Sequence, residues 1–194
     1  MEVLERANHP MGKINHEVVE RNHTKARAIA TYYVCFVTYS FIGWIWETIV
    51  TSIDVGSLQK RGFLDLPLLP IYGTAITIIL FLFYNRGYSM LKILYGSMLI
   101  TAVQEFITSW LLEKLFHQVW WDYSHMRFQV QGRVCLLATI TFGVASLFIV
   151  QYIHPKIDKK IQRFIEYPRC KKLCKVSFFI ILSNILFKVI HFIS

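Results

Sequence analysis

The chain has 194 residues, 55% hydrophobic and 17% charged, with a mean hydropathy of +0.43 and a formal net charge of +9. A soluble domain carries about 25% charged residues, so the soluble globular, disordered and collagen-like classes are excluded. A small polytopic membrane protein is the class that remains.

Residues 1–29 are polar and mixed in charge, with Glu2, Arg6, Lys13, Glu17, Arg21 and Arg27 among them. They lack the apolar core and small-residue cleavage site of a signal peptide, so a retained tail is expected. Residues 30–53, 66–84 and 91–116 each supply the ~20 apolar residues that cross a ~30 Å hydrocarbon core. Residues 134–153 form a fourth window, with Gln151 as its strongly polar interior member. Residues 154–175 are basic. The last window, 176–193, is short and carries Asn184, Lys188 and His191. It either spans with Lys188 snorkelling or lies in the interface, and spanning is the expectation. None of these windows has the ~10-residue apolar/polar alternation of barrel strands. The expected fold is an all-α integral membrane protein: a tail (1–29), a four-helix core (30–153), a basic segment (154–175) and a C-terminal hydrophobic helix (176–194).

Lys and Arg set the direction. The tail, the loop at 85–92 and the basic segment hold fifteen of them, whereas the alternate side has Lys60, Arg61, Lys114, Arg127 and Arg133. The positive-inside rule then places the chain in the cell membrane with its amino terminus in the cytoplasm. The run from Lys156 to Lys175 also suits contact with anionic membrane lipids, at roughly 1 kcal/mol per cation near the surface. Topology accounts for these cations, so no nucleic-acid partner is expected. Cys35 and Cys135 lie in or beside spans and read as small apolar residues. Cys170 and Cys174 flank two lysines on the reducing side and read as free thiols, with juxtamembrane acylation as an alternative.

Ionisable residues inside spans carry the functional signal. Glu47 lies in the outer third of the first window and Glu105 near the middle of the third. A charge at bilayer depth costs about 2.5–3.5 kcal/mol on insertion scales, so such residues usually face a partner or a wet cavity. Ser40, Gly43 and Glu47 share one helical face, as do Ser97, Thr101, Glu105 and Ser109. Small and hydroxyl residues at that spacing also mark helix contacts. Matching faces occur at Pro70, Gly73, Thr74 and Thr77, and at Thr139, Gly143 and Ser146.

Several short motifs recur. Glu47 and Glu105 are each followed by Ile and a Thr-Ser pair. Arg61 and Arg133 each precede a returning helix, and Ile71-Tyr72-Gly73 is echoed by Thr141-Phe142-Gly143. These echoes predict two helical hairpins as parallel repeats, related by an axis along the membrane normal. With the amino terminus inside, Glu47 falls roughly 26 Å beyond Ala30 and Glu105 roughly 21 Å beyond Leu91 at the helical rise. Glu47, Arg61, Glu105 and Arg133 are therefore expected to meet in the outer half of the bundle, as the polar lining of an outward-facing cavity or as a closed ion-pair latch. Trp121, Asp122 and Tyr123, within Trp120-Trp121-Asp122-Tyr123-Ser124-His125, are expected to cover this cluster. The rings alone fit an aromatic belt at the interface. Glu113, His117, Asp122 and His125 match no firm metal spacing, so neither metal nor cofactor is expected. No P-loop, GxSxG or HExxH motif occurs, so the chain itself offers no ATPase or hydrolase chemistry.

These residues resemble the CmpB-like family labelled Putative ABC-transporter type IV. The resemblance rests on Tyr39-Ser40-Phe41-Ile42-Gly43-Trp44-Ile45-Trp46-Glu47, Arg61-Gly62-Phe63-Leu64 through Pro67, and Pro70-Ile71-Tyr72-Gly73. It continues through Glu105 to Phe116, Trp120-Trp121-Asp122-Tyr123-Ser124 and Gly132-Arg133-Val134-Cys135-Leu136, covering residues 39–155. Where the family shows Asn in a Phe-Asn-Leu-like stretch, this chain has Phe128-Gln129-Val130-Gln131, so no side-chain role is carried over there. The resemblance implies a permease-like transport component served by a separate ATPase subunit. Four or five spans would need a homodimer or another membrane subunit to complete a path. Two other classes stand beside it: a lipid-binding protein or enzyme at the outer leaflet, and a structural or regulatory subunit.

Overall fold

The computed structural model describes the backbone of residues 10–193 and the side chains of residues 24–192. Among the described residues there are six α-helices, a π-helical turn and one short β-hairpin. Helix α1 (Pro10–Val55) runs unbroken from the polar tail through the first apolar window. It stops at Gly56, whose φ of +73° ends the helix at little steric cost. Helix α2 (Pro70–Phe83) begins on a proline, whose fixed φ suits a first helical turn. Helix α3 (Met90–Phe116) opens with Ser89 Oγ accepting from Lys92 N–H at 3.4 Å and closes on the left-handed His117. Strands β1 (Gln129–Val130) and β2 (Val134–Cys135) pair antiparallel and lead into α4 (Leu136–Phe148).

Helix α4 continues through a π-helical turn, Ile149–Ile153, into α5 (His154–Glu166), and α6 (Cys170–Ile193) follows a tight turn. Four of these stretches are long and apolar enough to cross a membrane: Thr24–Val55, Met90–Phe116, Leu136–Glu166 and Cys170–Phe192.

Two expectations about the spans are corrected. The short helix is α2, not the C-terminal one. Its 14 residues cover only about 21 Å, because Pro67 and Pro70 break the helix that residues 66–84 predicted. Residues 63–69 run non-helically against the bundle: Leu64 and Leu68 are buried with Ile181 of α6, and Leu69 N–H donates to the Ser40 carbonyl at 3.0 Å. The fourth span, for its part, does not stop at residue 153. Pro155 has no N–H to give, the His154 N–H reaches back five residues to Ile149, and the helix widens rather than breaks.

The polar residues that made the last window marginal have partners. Asp65 accepts from Lys188 Nζ at 2.8 Å and its N–H donates to Asn184 Oδ1 at 3.1 Å. The non-helical segment thus supplies the counter-charge that lets α6 dock. The Lys188 and Lys60 ammonium groups hold the Asp65 carboxyl below the usual carboxylate range.

The helix ends sort into two sets. At one end Arg27 pairs with Glu166 at 3.0 Å, Tyr84 donates to Asp158 at 3.2 Å, and Tyr33 and Ser177 share a hydrogen bond of 2.8 Å. At the other, Phe63 meets the rings of Phe116, Trp120 and Phe192. The cation-rich segments therefore share one face of the bundle.

The two hairpins pack alike. A Cβ on Gly73 would overlap Ser40 Oγ and Phe36, and one on Gly143 would overlap Met98 and approach Leu94. Shifting α1 so that Glu47 falls on Glu105 also places Phe36 on Leu94 and Ser40 on Met98. The sequence echo is a shared packing register.

Candidate functional site: a polar cluster between the hairpins

Helices α1, α2 and α3, the segment before α2 and the loop after α3 all deliver polar groups to the seam between the hairpins. From α1, Glu47 accepts from Tyr72 Oη at 2.7 Å and from Arg61 at 3.5 Å. Arg61 stands in the extended segment just after its helix, beside Gly62, whose φ of +102° favours glycine. From α3, the stripe of Ser97, Thr101, Glu105 and Ser109 is buried. Glu105 is 7% exposed; its Oε1 accepts from Tyr123 Oη at 3.0 Å, and its Oε2 is buried with no partner among the described residues. Tyr72 closes the seam by packing its ring edge-on to Phe142 at 5.9 Å.

The four expected charges do not form one ring of ion pairs. Glu47 and Arg61 are joined, but Arg133 bonds Glu113, with its other terminal nitrogen on Ser109 Oγ at 3.1 Å. The hairpin explains this. Gln131 and Gly132 both take left-handed backbone conformations, and Arg133 N–H closes the turn onto the Val130 carbonyl at 3.0 Å. This aims the guanidinium at the upper turns of α3.

The covering residues divide as well. Tyr123 reaches the cluster. Burial, then the charge and hydrogen bond of Glu105, push its phenol above its ordinary value. Trp121 Nε1 donates to the Arg133 carbonyl at 3.0 Å and fixes the hairpin. Asp122 instead accepts from the Ser124 hydroxyl and N–H, which hold its carboxyl below the usual range. Gly132 lies so close that any side chain there would strike Asp122. In this structure Asp122 shapes the loop and Tyr123 touches the cluster.

Sequence reasoning missed three participants. Tyr72 was visible only as part of a motif. Glu113 lies two helical turns above Glu105 on one face, a spacing that marks it as a companion of Glu105. Gln104 bridges the hairpins, donating to the Ile71 carbonyl and to Thr74 Oγ1, each at 2.6 Å. A shallow groove of about 410 Å³ follows the C-terminal end of α1, lined by Thr48, Ser52, Gly56 and Leu58, beside the cluster and not between the hairpins.

No curated protein and no solved structure matches the chain. A family model does, over residues 34–190, under the description Putative ABC-transporter type IV. That match runs past residue 155, where the motif resemblance stopped, and takes in α5 and most of α6. The chain is a multi-pass membrane protein that belongs to the Putative ABC-transporter type IV family.

Proposed function

We propose that the chain is a permease-like transport component whose outer cluster recognises an anionic group. One observation carries this reading: Arg61, on Glu47, and Arg133, on Glu113 and Ser109, each keep a buried Nε with no partner among the described residues. Guanidinium groups suit carboxylate and phosphate by their planar fork. Separation of Tyr72 from Phe142 would open the seam as an outward-facing cavity. The amino terminus is cytoplasmic in this reading, supported by the cation split and by the contacts that gather the cation-rich ends on one face. A separate ATPase subunit supplies the energy, and a homodimer or a second membrane subunit completes the path.

Purification in native-lipid particles followed by native mass spectrometry tests the reading. An ATPase subunit and a bound anion are expected with the wild-type chain. Arg61→Gln and Arg133→Gln should lose the anion and keep the subunit. Wild-type particles with neither would contradict it. A second reading, binding of an anionic lipid headgroup at the outer leaflet, is favoured by the groove at Thr48 and Ser52, which adjoins the Glu47–Arg61 pair. A bound anion that is a phospholipid would select it.

A further inference from the structure

Glu105 lacks a counter-charge. Among the described residues, no Lys, Arg or His nitrogen pairs with it, and one of its oxygens is buried without any partner. An ionised carboxylate in that position would carry a full charge into the bundle with one oxygen unsolvated, which is costly without a partner. A hydrogen on Oε2 removes the charge and leaves Oε1 free to accept from Tyr123.

The cation that could replace that proton stands one turn away. Glu105, Ser109 and Glu113 follow one another at four-residue spacing on α3. Arg133 occupies the upper two, touching Ser109 and Glu113. A shift of about 6 Å along the helix, one turn, brings its guanidinium to Glu105. Its Nε is buried and unpartnered, so the present seat does not use all its donors.

We infer that Glu105 is a proton-binding site, occupied while Arg133 rests on Glu113 and vacated when Arg133 moves one turn to pair with Glu105. In the exchange only the O–H bond at Oε2 breaks. The proton passes to water entering the seam, and the guanidinium takes over the charge balance. The other titratable and charged groups facing this position are Glu47 from α1, with Arg61 on it, Tyr72 from α2 and Tyr123 from the loop, with Cys135 of β2 near Tyr123. Glu47 keeps its own cation, so it adds repulsion without supplying a counter-charge to Glu105. The inference rests on the cluster being a working site, but its test reads the proton and not the transported group.

Infrared spectra of the full chain in phosphatidylcholine nanodiscs, titrated with pH, provide that test. The wild-type chain should show the carbonyl band of a protonated carboxyl at neutral pH, shifted in heavy water and absent from Glu105→Gln. Glu113→Gln frees Arg133 and should move the titration of the band to lower pH by at least about one unit, a tenfold loss of proton affinity. If Glu105→Gln does not fold, Tyr123→Phe serves instead: loss of the donor to Oε1 should keep the band to higher pH. No protonated carboxyl at neutral pH, or a band that neither Glu105→Gln nor Tyr123→Phe alters, would overturn the site. An unmoved titration in Glu113→Gln would overturn the exchange with Arg133. A protonated Glu105 in a chain that binds no anion would leave this inference standing and remove the anion reading.

Discussion

The two hairpins share a scaffold and differ in chemistry. In the first, Glu47 has a cation and a hydroxyl from within its own hairpin, Arg61 and Tyr72. In the second, Phe142 stands where Tyr72 would be, and Arg133 goes to Glu113, so Glu105 receives a hydroxyl only from the loop residue Tyr123. The glycine contacts that set the helix spacing match, while the groups above them diverge. Duplicated packing thus yields one carboxylate with a counter-charge and one without, at a single seam.

The packing half of the comparison gives the largest expected effects. Gly73→Leu should abolish the folded protein, because the backbone carbonyl of Phe36 stands against Gly73 and cannot yield. Gly143→Ala should be milder, about 1–3 kcal/mol, since the flexible Met98 side chain can move aside. Folded yield by size exclusion and thermal melts ranks the two. Equal tolerance at both sites would mean that the shared register is not what holds the hairpins.

The charge half comes next. Arg133 is 16% exposed and Arg61 39%. Arg133→Gln should therefore cost about 1–3 kcal/mol by leaving polar groups unpaired, and Arg61→Gln under about 1 kcal/mol after solvent screening. The reverse order in denaturation would break the assignment of the better-sealed pair to the second hairpin. Removal of single hydroxyls falls below the Arg133 change and is comparable to the Arg61 one. Tyr72→Phe should cost about 1 kcal/mol, and Tyr123→Phe a similar amount, with the loop at 121–133 more open to protease.

The smallest effect is at the third contact surface, where Asp65 meets α6. Lys188 holds the folded Asp65 carboxyl below its ordinary value. A lowered carboxylate contributes stability that is present above the ordinary aspartate range and is lost as pH falls through the folded value. Docking of α6, followed by cross-linking of cysteines placed at Leu64 and Ile181, should weaken only in strong acid. Asp65→Asn should remove that dependence.

Much of this could be read from residue patterns. Glu47 and Glu105 were marked by four-residue stripes of small and hydroxyl residues, and the hairpin echo by Gly73 and Gly143. What escaped was non-local. Leu66, Leu68 and Leu69 are as apolar in an extended segment as in a helix, so hydropathy extended α2 across two prolines. Lys188 looked unaccommodated because its partner, Asp65, lies more than a hundred residues earlier. The choice of Glu113 over Glu105 by Arg133 depends on the left-handed turn at Gln131 and Gly132, which carries no periodic signal.

The central claim is that the seam between the hairpins is a polar site reached from outside. Cysteine accessibility at Tyr72 tests it most directly. In a chain with Cys35, Cys135, Cys170 and Cys174 replaced by alanine, Tyr72→Cys should react with a membrane-impermeant thiol reagent added to intact cells, more slowly than the surface control Asp122→Cys. Labelling of Tyr72→Cys only from the cytoplasmic side, or only after the membrane is dissolved, would contradict the account.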